Sequence, residues 1–382
     1  MYKHQIPKSP AFVLDEEQVS ANLQPLLALR ATTGCKILYS MKALPLMHLL
    51  EFLQNRLDGL SASSLFEARM AKQVLGEGAY IHLTTPGLRP DEFPELASLC
   101  SHISFNSLSQ FQRLHATGSG YAKGLRVNPK LSFAADSRYD PCRSHSKLGV
   151  DIDELFSAGL PTEVVGLHFH TVFAHNDFQP LIATINKLLP LIERSPQLEW
   201  LNIGGGYLYH SICDLEPITE IISRLRTTYD LDVYLEPGKA IVGNAGYLLT
   251  TVLDRFDSDG KTVLVLDTAV NHHPEVFEYQ QQPALLEADT FGTSRQTAIL
   301  AGSSCMAGDV FGEYAFKRLP EVGERLVFGN VGAYSLIKAN RFNGYNLPDV
   351  YRIRAGHVHL LKQYDYADYF SQWSDKASKS SA

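Results

Sequence analysis

The sequence is poor in cysteine, in basic runs and in long apolar stretches, and each shortage excludes a class of protein. Its 382 residues include five cysteines, and no two of them form a CxxC pair, so neither a disulfide framework nor a zinc or other metal site is expected. No segment is rich in lysine and arginine, and the formal net charge is −7, which argues against nucleic-acid binding by a basic surface. The longest apolar stretches, 44–53 and 182–192, contain polar residues or proline and are too short to cross a bilayer.

The ends and the composition of the chain indicate a folded protein of the cytoplasm. The first residues, MYKHQIPKSP, lack the apolar core and cleavage site of a secretory signal. Apolar residues make up 45% and charged residues 20%, an ordinary balance for a chain with a sizeable core. Because 382 residues exceed a typical domain roughly two- to threefold, two domains are expected.

Short β-branched or aromatic runs alternate with helical patterns from about Lys36 to Glu236, as in parallel βα units. The helical segments carry a capping pattern at Ser64–Glu67 and an apolar stripe from Leu181 to Ile192, with Pro180 suited to a first turn. Eight strands are predicted, over 36–41, 57–62, 80–84, 102–106, 123–128, 164–170, 199–204 and 231–236. Eight such units over about 200 residues match a (β/α)8 barrel better than an open sheet.

After Gly238 the pattern changes to strand-like runs separated by Gly, Asp and Pro. Clear examples are 247–253, 262–266 and 325–328. We therefore predict a (β/α)8 barrel over 11–240, a β-rich C-terminal domain over 241–370 and a flexible tail over 371–382. Residues 1–14, with a strand at 11–14, could join the β-rich domain.

Active sites of (β/α)8 barrels lie at the C-terminal ends of the strands, and here those positions carry reactive side chains and glycines. They are Lys42, Arg126, His168, His170, Gly204–Gly206 and Glu236 to Gly238. Strand alternation places His168 and His170 on one face, with only His170 at the mouth and His168 as a hydrogen-bonded core histidine.

Three of these features together predict pyridoxal 5'-phosphate. A buried Lys42 ammonium would be costly unless the amine bonds covalently to an aldehyde cofactor. The loop at Gly205 and Gly206 can expose N–H groups to a phosphate, and Glu236 can partner a pyridinium nitrogen. His170 would then lie over the ring. Taken singly, the same residues also fit a lysine at the barrel rim, a tight βα turn and a rim salt bridge.

The motifs resemble those of the fold-type III pyridoxal-phosphate decarboxylases, the alanine-racemase-like group that includes ornithine, diaminopimelate and carboxynorspermidine decarboxylases. The resemblance extends over nearly the whole chain. It rests on YSMKA (39–43), SSLFEA (63–68), LRVNP (125–129), SKLGV (146–150), GLHFH (166–170), LNIGGG (201–206), LEPG (235–238), GSSCMAGD (302–309), NVGAYS (330–335) and RFNGYNLP (341–348). GLHFH, CMAGD and RFNGYNLP look most like the carboxynorspermidine (carboxyspermidine) decarboxylases of polyamine and spermidine biosynthesis.

The resemblance implies an alanine-racemase-like barrel followed by the β-rich domain, in a homodimer with shared active sites. It makes Lys42 the cofactor-linked lysine, His170 the residue stacked on the ring and Glu236 its nitrogen partner. The cofactor site is completed by Arg126, Gly205, Gly206, Gly238 and Tyr334. Cys305 matches a proton donor and Asp309 a substrate contact, both inserted by the partner subunit, and the substrate is a small amino acid.

Recognition of the substrate is where this chain departs from the family pattern. Lys239 follows Glu-Pro-Gly, where the family usually has an acid that clamps a substrate amine, and Tyr207-Leu-Tyr209 replaces histidines. Glu275 keeps an acid at another amine-contact position. The expected substrate is thus carboxynorspermidine or carboxyspermidine, or else a more anionic amino acid such as diaminopimelate or a siderophore precursor, to whose carboxylate Lys239 would bind. The motifs also leave open a racemase and a catalytically silent regulatory paralogue.

Overall fold

The computed structural model describes residues 2–134, 136–289, 292 and 296–375. They divide into two compact units, the first of which is Ala21–Ile241. The second consists of the described residues of Met1–Ser20 and Val242–Ala382. Within the described ranges, none of the helices has the length and apolar character that a membrane crossing requires.

Strand β1 (Ala11–Asp15) is the first strand and belongs to the second unit, whereas the next nine strands belong to the first unit. These are β2 (Lys36–Ser40), β3 (Gly59–Ala62), β4 (Tyr80–Thr84), β5 (His102–Phe105), β6 (Ala122–Asn128), β7 (Val150–Asp151), β8 (Gly166–His168), β9 (Trp200–Asn202) and β10 (Asp232–Leu235). Eight of them pair in the order β5-β4-β3-β2-β10-β9-β8-β6, and the β5–β6 pair closes the ring, while β7 adds to β6. Each predicted strand overlaps one of these eight, so the predicted parallel barrel is confirmed.

Helices separate the barrel strands. They are α1 (Glu16–Thr33), α2 (Met47–Leu53), α3 (Leu65–Leu75), α4 (Phe93–Leu99), α5 (Leu108–Leu114), α6 (Ile152–Ala158), α7 (Gln179–Glu193), α8 (Glu216–Tyr229) and α9 (Lys239–Val242). Ser64 caps α3 by accepting the Glu67 N–H at 3.3 Å, but the Glu67 carboxylate accepts the N–H of Ser63, so the predicted box forms only in part. Pro180 lies in the first turn of α7, whose predicted stripe is buried.

The second unit is built on a sheet in the order β14-β13-β12-β11-β1-β16-β17, with β15 paired to β11. Its later strands are β11 (Gly246–Ser258), β12 (Lys261–Leu266), β13 (Gln296–Ala301), β14 (Val310–Phe316), β15 (Arg325–Phe328), β16 (Asp349–Arg354) and β17 (His357–Lys362). Strand β1 lies between β11, to which it is antiparallel, and β16, to which it is parallel. The N-terminal strand therefore pairs within the sheet of the C-terminal region.

Three helices accompany this sheet: α10 (Glu275–Tyr279), α11 (Ser335–Lys338) and α12 (Tyr366–Trp373). Helix α12 begins with a full capping box made by Asp365 and Asp368. Residues 371–373, which the composition assigns to a flexible tail, therefore continue a capped helix. Residues 376–382 of that predicted tail lie outside the described residues.

Trp200 fills the interior of the barrel below its mouth. A Cβ added at Gly166 would lie 1.8 Å from Cε2 of the indole, and one added at Gly124 would lie 2.4 Å from its Cη2. The glycines of β6 and β8 thus leave the space that the indole of β9 occupies. The rings of His82 and His102 contact the indole at centroid distances of 5.6 and 5.2 Å. This aromatic layer supports the inward-facing side chains nearer the mouth.

Candidate active site

Strand register brings polar side chains into one row above the aromatic layer. Arg126 on β6 lies opposite His168 on β8, and His168 lies opposite Asn202 on β9. Asn202 in turn pairs with Tyr234 on β10, so Glu236 comes two residues further along on the same face. Alternation along parallel strands therefore directs all four polar residues toward the barrel interior.

Glu236 is a buried carboxylate with two polar neighbours. Asn202 Nδ2 donates a hydrogen bond of 2.7 Å to Oε1, and His168 Nε2 lies 3.5 Å from Oε2. Burial by itself would raise the pKa of Glu236, but His168 and Lys42 outweigh it and hold that pKa well below its usual value. The group is therefore an ionised carboxylate at neutral pH.

Lys42 lies in the short 3-10 turn Met41–Ala43 that directly follows β2. The turn is tied to the Glu236 segment, because the N–H of Ser40 donates to the carbonyl of Pro237 at 3.1 Å. The Lys42 side chain is open to solvent, yet the protein that surrounds it lowers the pKa of the ammonium, against the opposing charge of Glu236. A lowered pKa increases the fraction of neutral, nucleophilic amine.

Gly238 lets these two segments approach each other. A Cβ added there would lie 3.0 Å from Cβ of Ala43 and 3.2 Å from Cβ of Ser40. A side chain at this position would push the end of β10 away from the lysine turn. The role of Gly238 is thus to bring the Glu236 segment against Lys42.

The glycine loop after β9 packs on the backbone of Glu236 and orients His170. A Cβ at Gly205 would lie 2.2 Å from the Glu236 carbonyl oxygen, and Gly206 has a φ of +99°, which favours glycine. The N–H of Gly205 donates to Nδ1 of His170 at 3.2 Å. Burial is the main cause that lowers the pKa of His170 well below its usual value, and the charge of Lys42 is the next. The ring is therefore neutral and carries its proton on Nε2.

Arg126 places a buried positive charge beside this cluster. The residue is 8% exposed. Burial lowers the pKa of its guanidinium, and Glu236 opposes that effect. Within the described part of the chain, no carboxylate forms a salt bridge with it. A buried guanidinium that has no salt bridge within the described residues favours an anionic ligand.

Sequence reasoning missed two members of the cluster. Asn202 and His82 were not singled out, although Asn202 is inside LNIGGG and both residues share the inward face by alternation. His168 is buried as predicted, and Nε2 of its ring lies 3.5 Å from Oε2 of Glu236. Its main polar neighbour is the Glu236 carboxylate.

Four predicted site residues lie in the second unit. Tyr334 has a φ of +68°, uncommon for a tyrosine, and burial together with Glu275 raises its pKa to about 12. Glu275 is buried at the start of α10. Both carboxylate oxygens of Asp309 accept backbone N–H groups, from Val270 at 2.8 Å and from Ser304 at 2.9 Å.

The Asp309 carboxylate therefore holds the loop that carries Cys305. A Cβ at Gly302 would lie 2.2 Å from an oxygen of this carboxylate, so glycine is needed where the loop begins. Cys305 is exposed, and its N–H donates to Oδ1 of Asn343 at 2.8 Å. The thiol is presented at the surface of the second unit on a fixed backbone.

Two further predicted recognition positions belong to the first unit. The ammonium of Lys239 lies 5.1 Å from the centroid of the Phe173 ring, a cation–π distance. Tyr207 and Tyr209 are buried, and neither hydroxyl has a hydrogen-bond partner within the described residues. Lys239 is thus placed beside an aromatic ring, and the tyrosines contribute mainly to packing.

These residues fit pyridoxal 5'-phosphate. The amine of Lys42, whose pKa is lowered, suits an aldehyde, and the ionised Glu236 suits a protonated ring nitrogen. The buried Arg126 charge and the glycine loop suit a group that carries negative charge. The barrel mouth therefore has the donor, acceptor and nucleophile that this cofactor requires.

Comparison with known proteins also indicates an enzyme that uses pyridoxal 5'-phosphate. A family model described as "Pyridoxal-dependent decarboxylase, C-terminal sheet domain" matches residues 11–332. The carboxyaminopropylagmatine decarboxylase of Synechocystis sp. is 34% identical over 368 residues, 94% of each chain. The carboxynorspermidine/carboxyspermidine decarboxylase of Campylobacter jejuni is 29% identical over 377 residues, 95% of this chain and 97% of that one.

A solved structure shows the same similarity. The crystal structure of carboxynorspermidine decarboxylase from Campylobacter jejuni, complexed with norspermidine, superposes with a TM-score of 0.87 at 27% identity. It covers 96% of this chain and 100% of that chain. The fold, the residues at the barrel mouth and these matches together show that the chain belongs to the pyridoxal-dependent amino-acid decarboxylases, in their polyamine-related group.

Proposed function

We propose that the chain removes the carboxylate of a carboxylated polyamine, in which the amino-acid group is attached through an amine to a diamine or to agmatine. The observation that carries this proposal is the full-length similarity to two relatives whose substrates share that chemistry. Norspermidine, the ligand in the similar crystal structure, has the form of the decarboxylated product. The Lys42, His170 and Glu236 cluster supplies the catalytic groups.

Each residue at the mouth has a defined task in this proposal. Pyridoxal phosphate, when bound, withdraws the electrons that the departing carboxylate leaves behind. Lys42 would bind the cofactor covalently through its amine, and the neutral His170 would pack over the ring. The ionised Glu236 would hold a proton on the ring nitrogen. Arg126, Gly205, Gly206, Gly238 and Tyr334 complete cofactor binding.

Cys305 is the proposed donor of the proton that replaces the carboxylate. The structure supports this role through the exposed position of the thiol and through the backbone fixed by Asp309. In the proposed homodimer, each protomer offers its Cys305 loop to the barrel of its partner. Asp309 then affects substrate binding mainly by holding that loop in place.

The far end of a carboxylated polyamine is cationic, either an amine or, in the agmatine derivative, a guanidinium. Glu275 is 7% exposed and carries a carboxylate that would pair with such a cation. A guanidinium offers two parallel N–H donors to a carboxylate, whereas an amine acts as a single charged centre. We therefore place the agmatine derivative first and the norspermidine and spermidine precursors next.

Lys239 favours a second candidate. A half-buried ammonium beside Phe173, with no salt bridge to a carboxylate in the described ranges, would attract a substrate that bears an extra carboxylate. Diaminopimelate and carboxylate-rich siderophore precursors have this property. The fold and the catalytic cluster would be the same, and only the recognition of the distal group would change.

A product screen tests these candidates. The purified protein, loaded with pyridoxal phosphate, is incubated separately with carboxyaminopropylagmatine, carboxynorspermidine, carboxyspermidine, meso-diaminopimelate and a carboxylate-rich siderophore precursor. Mass spectrometry then scores the loss of CO₂, with Lys42→Ala as the inactive control. Preferred turnover of a carboxylated polyamine is expected. Turnover confined to the anionic substrates would replace the proposal with the second candidate, and silence on all of them would favour a regulatory paralogue.

A further inference from the structure

A buried chain of hydrogen bonds extends from Glu236 into the barrel, away from the mouth. Asn202 is fully buried, and its Oδ1 accepts the N–H of Gly204 at 2.9 Å. This contact fixes the orientation of the side-chain amide, since the oxygen is already engaged. Both hydrogens of Nδ2 must therefore point the other way, where one meets Oε1 of Glu236 at 2.7 Å and the other meets Nδ1 of His82 at 3.2 Å.

His82 can only accept in this arrangement. The amide nitrogen of Asn202 carries two hydrogens and no lone pair for hydrogen bonding, so Nδ1 of His82 must be unprotonated. Burial is the main cause that lowers the pKa of His82 well below its usual value, in agreement with a neutral ring. Its Nε2 is buried and has no hydrogen-bond partner within the described residues. The ring thus makes its one polar contact through Nδ1.

The rings around His82 hold it in place without competing for that nitrogen. His102 stacks on it at a centroid distance of 4.1 Å and an interplanar angle of 20°. Tyr234 lies 4.4 Å away and Trp200 5.6 Å away. Because β4, which carries His82, and β9, which carries Asn202, are not neighbours in the barrel, this contact crosses the interior.

We infer that His82 is a positioning residue, whose Nδ1 fixes the second amide hydrogen of Asn202 and thereby aims the first at the Glu236 carboxylate. Without that acceptor the amide would leave a buried donor unsatisfied, and Asn202 would rotate or share its hydrogens unevenly. Glu236 would then lose the orientation that its role at the cofactor nitrogen requires. The inference rests on the proposed role of Glu236.

Two conservative variants separate this role from simple packing. In His82→Asn the amide oxygen lies where Nδ1 lies in histidine, whereas in His82→Gln the amide group reaches instead to the position of Nε2. If His82 matters only for volume, glutamine should be the better replacement, since it leaves the smaller void. If His82 matters as an acceptor, asparagine should be the better one. The two roles predict opposite orders.

The experiment measures the dissociation constant of pyridoxal phosphate, the visible spectrum of the bound cofactor, and kcat and KM separately, for the wild type and both variants as folded holoenzymes. We expect His82→Asn to stay near the wild type in all of these. In His82→Gln we expect cofactor binding and kcat to be about five- to tenfold weaker, the cost of one hydrogen bond, with an altered spectrum and little change in KM.

Equal behaviour of the two variants, or better cofactor binding by His82→Gln, would overturn the inference and leave the proposed function intact. A wild-type protein that binds no pyridoxal phosphate would overturn both. Thermal unfolding of each variant serves as the check on packing. If His82→Gln unfolds at a higher temperature than His82→Asn but binds the cofactor more weakly, the loss of cofactor binding is not caused by a loss of stability.

Discussion

Two lysines at opposite ends of one barrel strand show how the same fold treats a charge in two ways. Lys36 is the first residue of β2, and Lys42 lies in the 3-10 turn that directly follows this strand. Burial alone would lower the pKa of Lys36, but hydrogen bonds to Asp232 at 2.7 Å and Tyr80 at 2.8 Å raise it above its usual value. For Lys42 the pKa is lowered instead.

The difference lies in the partners that the barrel provides. At the base, Asp232 and Tyr80 accept hydrogen bonds from the Lys36 ammonium, which also lies over the rings of Tyr80 and Tyr234. These contacts stabilise the charge. At the mouth, the surrounding protein is the main cause that lowers the pKa of Lys42; the charge of Glu236 opposes this effect, and the charge of Arg126 adds to it. The base therefore gains stability from its charged groups, and the mouth gains reactivity.

The largest expected effect separates the two lysines. Lys42→Ala should abolish measurable turnover, because the variant loses the amine that would bind the cofactor covalently. Borohydride reduction of the wild-type holoenzyme should place the cofactor on the peptide that contains Lys42, as peptide mass analysis would show. The matched control, Lys36→Met, should keep its kcat and lose less than about 1 kcal/mol of unfolding free energy. A cofactor adduct on any other lysine would refute the assignment.

Most of the barrel could be predicted from the sequence, because its strands are short apolar runs between helical segments, of which α3, α5 and α6 begin with a side-chain cap. The site followed from one rule, that barrel active sites lie at the C-terminal ends of strands, and this located Lys42, Arg126, His170 and Glu236. The second sheet was harder. Strands such as β16, with the sequence DVYRIR, alternate charged and apolar residues and pair with segments far along the chain, so their partners are not visible locally.

Contacts that cross the barrel interior also could not be predicted. The bond between His82 and Asn202 depends on the tilt and register of two strands that are not neighbours. The contacts of Asp309 could not be predicted either, because its carboxylate accepts one N–H from Ser304 in its own loop and another from Val270, 39 residues earlier in the chain. Its role as a substrate contact stays a prediction.

A substitution below the mouth should affect stability and leave the catalytic groups in place. Gly166→Ala puts a methyl group against the Trp200 indole, and overpacking of this kind costs about 1–3 kcal/mol. Gly87→Ala is the matched control, since nothing lies within 4 Å of a Cβ at that position. Urea unfolding of both variants measures the difference. Equal unfolding free energies would show that the aromatic layer is loosely packed.

At the mouth, Lys239→Glu tests whether the cation selects the substrate. Replacing an ammonium by a carboxylate should attract a cationic polyamine precursor, so its KM should fall by about tenfold, equivalent to about 1.4 kcal/mol. The neutral Lys239→Gln should lie between this variant and the wild type, and added salt should shrink the effect. An unchanged or higher KM in Lys239→Glu would show that Lys239 does not face the substrate and that its contact with Phe173 is structural.

The response of stability to acid tests the base of the barrel. Burial, reinforced by Lys36, lowers the pKa of His102 to about 4, below the value of about 6.5 for an unfolded histidine. Between those two pH values the unfolded chain binds a proton that the native state does not, so stability falls as the pH falls through this window, by up to about 1.4 kcal/mol per pH unit. In His102→Asn this contribution disappears, and urea unfolding from pH 6.5 to pH 4 should show a shallower slope. If the slopes are the same, the neutral His102 does not limit acid stability, and the contrast between the base and the mouth then rests on Lys36 and Lys42 alone.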